Sequence, residues 1–247
     1  RSMRIELIAG AAAVVYVLFG ERLKKYVRRT TSSIKLTYFD LDGLGEPIRL
    51  SLACAGASFE DYRFKSRDEF VAMKPHLKFG QVPCLTVDGT SEVVQSAAVM
   101  RYVARAFDVS GTLYPSDLNV AALVDALIDQ TKDMMTGRQV YRYKGRFWGT
   151  AADKFLTDSA VAAIESAWLT EVLPTHLGFF EKMLSDSATP WLAGTSSPTI
   201  ADLMVGTQLK MLSQFHQLSP PLDAFVKSVY ALPAVVAWRE QEAAAKK

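Results

Sequence analysis

From Ile34 onwards, short runs of β-forming residues alternate with apolar residues at helical spacing. Lys35-Leu36-Thr37-Tyr38-Phe39 alternates in polarity and predicts a first strand. Asp40 to Gly45, with its aspartates and glycines, reads as a loop. Glu46-Pro47 opens a helix with proline in its first turn, and Ile48, Leu50, Leu52 and Ala53 carry it towards Gly56. Phe59 to Phe64 predicts a second strand, and Arg67 to Met73 a short helix.

The stretch from Gly80 to Ala104, GQVPCLTVDGTSEVVQSAAVMRYVA, then reads as strand, turn, strand and helix. Its apolar run from Val82 to Val87 is interrupted by Pro83, which cannot donate to a sheet ladder and belongs at an edge or a bend. A cis Val82–Pro83 bond would leave the backbone of Val82 available to an extended ligand. Asp88-Gly89 supplies a two-residue turn whose central positions both favour positive φ. Gln95 and Ser96 stand in the first turn of a helix that continues through Ala98, Val99, Tyr102 and Val103. Such a helix start offers N–H groups, a partial positive charge and a hydroxyl, which suit a carboxylate. The segment would hold a small peptide by its backbone at Val82 and its carboxylate at Ser96. An ordinary hairpin followed by a capped helix is the alternative.

After the turn-rich stretch from Phe107 to Pro115 the strand pattern stops. Asn119 to Met135 is helical in period through Leu123, Leu127 and Met134, and so is Phe155 to Leu184, where Pro174 should kink or break the helix. Thr199 and Asp202 form a capping box opening a helix from Ile200 to Leu212, and Leu222 to Ala231 and Pro233 to Gln241 predict two more. Between Thr136 and Thr150 a patch with Tyr141, Tyr143, Phe147 and Trp148 breaks the period and reads as an inter-helix loop with aromatic anchors. The predicted organisation is therefore residues 1–33, an apolar helix with a basic tether; 34–115, an α/β domain; and 116–247, an all-helical domain.

Composition narrows the function. With 247 residues and a formal net charge of +2, the chain lacks the basic face of a nucleic-acid binder. Cys54 and Cys84 are too few for a disulfide framework and point to a reducing compartment. His76, His176 and His216 show no metal-ligand spacing, so no metal site is expected. Leu7 to Gly20 is uncharged and apolar, and is followed by Arg22, Lys24, Lys25, Arg28 and Arg29. As a helix it spans roughly 21 Å, or about 28 Å if Arg4 and Arg22 reach the interfaces, against a hydrocarbon core of roughly 30 Å. It reads as a membrane anchor with Thr30 to Ser33 as a short polar tether, and the basic residues after it would keep the domain in the cytosol, on the mitochondrial outer membrane or endoplasmic reticulum. A helix packed on the domain or on a partner is the alternative.

KLTYF followed by GEPIRL, then KFGQVPCL, then VVQSAAVMRYVA, in this order and spacing, resembles the cytosolic glutathione transferases, sigma-like members most, which are related to the glutathione-dependent prostaglandin D synthases. The likeness runs from Lys35 to about Leu212. It implies a thioredoxin-like N-terminal domain, a helical C-terminal domain, a homodimer, glutathione as co-substrate and a small hydrophobic electrophile as acceptor. By the same resemblance Tyr38 is the tyrosine that stabilises the glutathione thiolate, and Lys74 meets the glycyl carboxylate. Phe70 stands where sigma members often place a tryptophan. Gln81 and Val82 hold the cysteinyl-glycine portion, and Gln95 and Ser96 bind the γ-glutamyl group. Asp129 reaches the glutathione of the neighbouring subunit. Leu44 departs from the pattern, since many sigma members carry an arginine there. Conjugation, isomerisation of the prostaglandin-synthase kind and non-catalytic carriage of apolar ligands are the functions the resemblance leaves open. Cys84, beside the proline, reads as a small buried hydrophobe or a redox-sensitive thiol.

Overall fold

In the computed structural model, which describes residues 20–245, the basic run is helical over residues 20–31 (α1). It leads into β1 (Ile34–Phe39), α2 (Glu46–Cys54), β2 (Glu60–Phe64), α3 (Arg67–Met73), β3 (Cys84–Val87), β4 (Ser91–Val94) and α4 (Ser96–Phe107). The sheet is ordered β2-β1-β3-β4, with β1 parallel to β2 and antiparallel to β3, and β3 antiparallel to β4. The parallel pair needs the crossover that α2 supplies, whereas β3 and β4 are joined by Asp88-Gly89-Thr90, one residue longer than the expected two-residue turn, with Asp88 and Gly89 at φ 52° and 69°. Apolar residues at the expected spacings close the core: Leu36 and Leu85 from the sheet, Ile48 and Leu52 from α2, Val99 and Val103 from α4, all fully buried.

The chain to Ser116 packs as one unit with the segment from Tyr230 onwards; Asp117–Val229 forms the other. The last helix, α12 (Pro233–Ala245), thus departs from the predicted grouping of residues 116–247. The reason lies in its side chains: Val235 is fully buried, Trp238 stacks on Phe59 with ring centroids 4.8 Å apart, and Arg239 reaches Glu46 of α2. The tether also departs from expectation. Thr30 and Thr31 belong to α1, donating to the carbonyls of Tyr26 and Val27. Lys25 donates to the carbonyl of Asp108 (3.0 Å) and Arg29 to that of Ala55 (3.2 Å), the C-cap positions of α4 and α2, where a cation meets the negative end of each helix. Ser33 and Asp88 exchange backbone and side-chain bonds at 2.8 and 2.9 Å. Apart from Gly20, the apolar run from Leu7 lies outside the described residues, and among the described residues no helix is long and apolar enough to cross a membrane.

The second unit is helical. α5 (Leu118–Arg142) is longer than its period suggested, running on past Met135 through part of the aromatic patch, where Tyr141 is buried. Most of the remaining patch is helical too, as α6 (Lys144–Trp148), followed by α7 (Ala152–Phe155). α8 (Asp158–Ala167) and α9 (Leu173–Asp186) are separated by a π-helical turn, Trp168–Val172, just before Pro174. Pro174 lacks an N–H to donate back, yet the helix runs on without a break from Asp158 to Asp186, the π-helical turn absorbing the proline where a break or kink was expected. The Trp168 indole donates to the carbonyl of Met134 (3.0 Å) across the bare face of Gly137, where a Cβ would lie 2.4 Å from the ring. α10 (Ile200–Leu212) carries the expected capping box, and α11 (Pro220–Tyr230) and α12 (Pro233–Ala245) follow.

Asp202 is fully buried, and its carboxylate accepts from the N–H and hydroxyl of Thr199 and from the N–H of Leu192 (2.7–2.8 Å). Burial pushes its pKa up while these bonds pull it down. Asp202→Ala should cost about 2–4 kcal/mol of unfolding free energy, because it removes the cap and strands buried donors. Denaturant unfolding with an unchanged midpoint would refute this.

Candidate active site

Tyr38 lies near the end of β1, 7% exposed, and its hydroxyl oxygen accepts the Leu44 N–H at 3.0 Å. The loop carrying that N–H is flattened against the ring. At Gly43, with φ +40°, a Cβ would stand 2.6 Å from the Tyr38 oxygen; at Gly45 it would stand 2.4 Å from Cδ1. Glycine is thus required at Gly43 both by space and by a left-handed backbone. A hydroxyl has one donor and two acceptor sites, so accepting from Leu44 fixes the oxygen and polarises its O–H towards a further acceptor.

The loop is held from behind by Arg49 of α2, whose side chain is fully buried. Its Nη1 donates to the Leu41 carbonyl (3.0 Å), its Nη2 to that of Phe39 (3.3 Å), and its Nε to both Asp61 oxygens (3.0 Å). The guanidinium carbon lies 5.8 Å from the centroid of the Tyr38 ring. Glu46, also fully buried, sits 3.5 Å from Nη1. Burial first, then Asp42, push the Glu46 carboxyl above the usual carboxylate range, against Arg239 and Arg49. Arg49 was missed in the sequence. Its signal was an arginine between Ile48 and Leu50, in a helix buried from Glu46 to Leu52.

On the far side of β1, the Val82–Pro83 bond is cis, and Val82 precedes the first ladder pair of β3, Thr37 with Cys84. Gln95 was expected in the first turn of α4. It is instead the N-cap, with φ 72° and ψ 118°, and its exposed side chain caps no amide. A non-glycine residue so placed costs about 1–3 kcal/mol and is typical of functional turns. No sequence signal marked it, since glutamine has no special tolerance for positive φ. The strained turn starts α4 at Ser96, which is 9% exposed.

Gln81 is half-buried beside Val82, and Lys74 is exposed but folds its stem over Gly80, where a Cβ would lie 3.3 Å from its Cγ. Phe70 packs on Phe39 and Phe64, with centroids 5.0 and 5.5 Å away. That packing by itself accounts for an aromatic residue there. Asp129 lies on α5 in the other unit, exposed and paired with Lys132 at 2.9 Å. Cys84 is 2% exposed, and burial raises its thiol pKa; burial pushes Cys54 up to about 12. Both thiols are therefore poor nucleophiles. Among the described residues no group of three or more His, Cys, Asp or Glu is placed to hold a metal.

Gly43→Ala should destabilise the protein by roughly 1–3 kcal/mol, from the left-handed backbone and the clash with the Tyr38 hydroxyl. Thermal unfolding at the wild-type temperature would show that the loop relaxes freely.

Residues 34–105 match the family described as Glutathione S-transferase, N-terminal domain, and residues 151–242 match Glutathione S-transferase, C-terminal domain. The chain is 36% identical over 209 residues to Glutathione S-transferase 1 of Ascaris suum, covering 83% of this chain and 94% of that one. It is 30% identical over 205 residues to Glutathione S-transferase 4 of Caenorhabditis elegans, covering 81% and 92%. Among solved structures it resembles a nematode-specific transferase of Caenorhabditis elegans, with TM-score 0.71, 30% identity and coverage of 85% and 97%. It also resembles prostaglandin synthase D of Nilaparvata lugens, with TM-score 0.70, 26% identity and coverage of 84% and 97%. A sheet that presents a buried, loop-held tyrosine, matched over nearly the whole length of these relatives, places the chain in the glutathione S-transferase family.

Proposed function

We propose that the chain is a sigma-like glutathione transferase that acts as a homodimer on small hydrophobic electrophiles. The observation that carries the chemistry is the Tyr38 hydroxyl, its oxygen fixed at 3.0 Å by the Leu44 N–H in a loop that tolerates no side chain at Gly43. A phenol so held donates to sulfur and favours the thiolate. A free thiol near pKa 8.5 is only a few per cent ionised at neutral pH, and lowering it by about two units, worth roughly 2.7 kcal/mol, makes the thiolate dominant. The thiol proton leaves to solvent. The sulfur then forms a C–S bond to the electrophilic carbon, and the displaced group departs with its electron pair; in an addition, the resulting carbanion takes a proton from water. The chain's own part is deprotonation and proximity.

In this reading Val82 pairs with the peptide backbone, Gln81 and Lys74 meet its cysteinyl-glycine end, and Gln95 and Ser96 hold the γ-glutamyl group at the start of α4. Phe70 supports that wall through its packing on Phe39. Asp129 serves the glutathione of the neighbouring subunit. The likeness to a prostaglandin synthase supports a second reading, isomerisation by the same thiolate, which differs only in the acceptor pocket. For Leu7 to Gly20 the proposal is a membrane anchor holding the domain on the cytosolic side; α1, bonded to the domain through Lys25 and Arg29, would make the join stiff. Carbonate extraction of the full-length chain tests the anchor: membrane retention supports it, and full recovery in the soluble fraction removes it.

Tyr38→Phe should lower kcat about 10–100-fold at neutral pH while glutathione affinity stays within a few-fold, because other groups hold the peptide. Equal turnover in steady-state assays with an aromatic halide acceptor would take Tyr38 out of the reaction. Ser96→Ala should weaken glutathione binding by about 1–3 kcal/mol, read by calorimetry; wild-type affinity would move the peptide site elsewhere.

A further inference from the structure

The family's chemistry ends at Tyr38 and its loop, but the charges behind that loop continue into the C-terminal helix. Arg239 of α12 places its Nη1 3.0 Å from Glu46 Oε1, 3.1 Å from Glu242 Oε2 and 3.7 Å from Asp42 Oδ1. Glu46 is fully buried, and its other oxygen, Oε2, has no hydrogen-bond partner among the described residues and lies 3.5 Å from Arg49 Nη1. Arg239 therefore makes the short contact to this carboxylate, and Arg49 only a long one. That division matters because Arg49 Nη1 is the same nitrogen that donates to the Leu41 carbonyl at 3.0 Å. Leu41 lies in the loop that carries the Leu44 N–H to the Tyr38 oxygen.

We infer that Arg239 is a positioning residue for Tyr38: it holds Glu46 away from Arg49, so that Arg49 keeps the catalytic loop in place. A buried carboxylate that loses one cationic partner turns to the other or takes up a proton. Without Arg239, Glu46 draws Nη1 towards itself, the bond to Leu41 lengthens, and the loop loses its hold on the Tyr38 hydroxyl. Other charged groups face this cluster. Asp42 comes from the loop, Asp61 and Arg63 from β2, Glu242 from α12, and Arg63 binds both Asp61 and Glu242. Tyr230, at the end of α11, has its hydroxyl pKa raised by burial and then by Glu46 and Asp42, so it stays protonated there. None of these supplies Glu46 with a second short contact to a cation.

The inference rests on Tyr38 as the thiolate partner, and the test separates the two. Steady-state rates and the ultraviolet absorbance of bound thiolate are followed from pH 5.5 to 9 for Arg239→Gln, Arg239→Lys and Glu46→Gln, each with Tyr38 intact and as Tyr38→Phe. Arg239→Gln should lower kcat/KM at neutral pH about three- to tenfold, move its pH profile to higher pH, and leave the KM for glutathione within about twofold. Arg239→Lys should recover most of the loss. In a Glu46→Gln background, where a neutral amide no longer competes for Arg49, Arg239→Gln should have no further effect, and likewise with Tyr38→Phe. A wild-type pH profile for Arg239→Gln, or a loss that simply adds in the Tyr38→Phe and Glu46→Gln backgrounds, overturns the positioning role. If Arg239→Gln does not fold, Arg239→Met in the two Glu46 backgrounds decides by the same criterion. If Tyr38→Phe alone leaves the thiolate absorbance unchanged, the reading of Tyr38 has failed, and the Arg239 inference with it.

Discussion

The buried guanidinium of Arg49 is the constraint on which the candidate site depends. The Arg49 side chain is fully buried, and its charge is answered by Asp61 on the neighbouring strand and by the carbonyls of Phe39 and Leu41. Leaving such a charge without partners would cost several kcal/mol, so the end of β1, the following loop and β2 must keep one arrangement. That arrangement brings the Leu44 N–H to the Tyr38 oxygen and presses Gly43 against it. A hydrogen bond worth about 1 kcal/mol in itself thereby inherits the rigidity of a buried ion pair.

The two halves of the site are stabilised by different means. On the Tyr38 side the fold uses charge: Arg49, Asp61 and Glu46, extended by Arg239 and Glu242 from the last helix. On the Ser96 side it uses backbone conformation. Gln95 holds a positive φ between β4 and α4, and the helix begins at Ser96 directly after it. Thiolate chemistry needs both: an oriented donor at sulfur, and a firm hold on the rest of the peptide so that sulfur stays beside it.

Much of this was legible in the sequence because it is written in local pattern. The alternation around Tyr38, the positive φ of Asp88-Gly89 and the capping box at Thr199 and Asp202 each rest on a few adjacent residues, and each appears in the structure; at Pro174 the local signal marks a π-helical turn in a continuous helix. What escaped depends on residues far apart in the chain. Arg49 reads as one more helix residue until Asp61 stands opposite it, and the segment from Tyr230 reads as another helix of the second half until Arg239 meets Glu46. The basic run after Gly20 reads as a solvated stretch near a bilayer, yet two of its cations cap helices in the first unit. The backbone of Gln95 escaped for another reason: glutamine has no preference for the positive φ it adopts.

If Tyr38 acts as proposed, this fold turns the thiol of bound glutathione into a thiolate. Ultraviolet titration of glutathione bound to the native protein measures that directly. The bound thiol should titrate with an apparent pKa about two units below that of the free peptide, near 6.5, with the thiolate band already strong at neutral pH. A bound thiol that titrates with the pKa of free glutathione would contradict it, however well the fold matches its relatives.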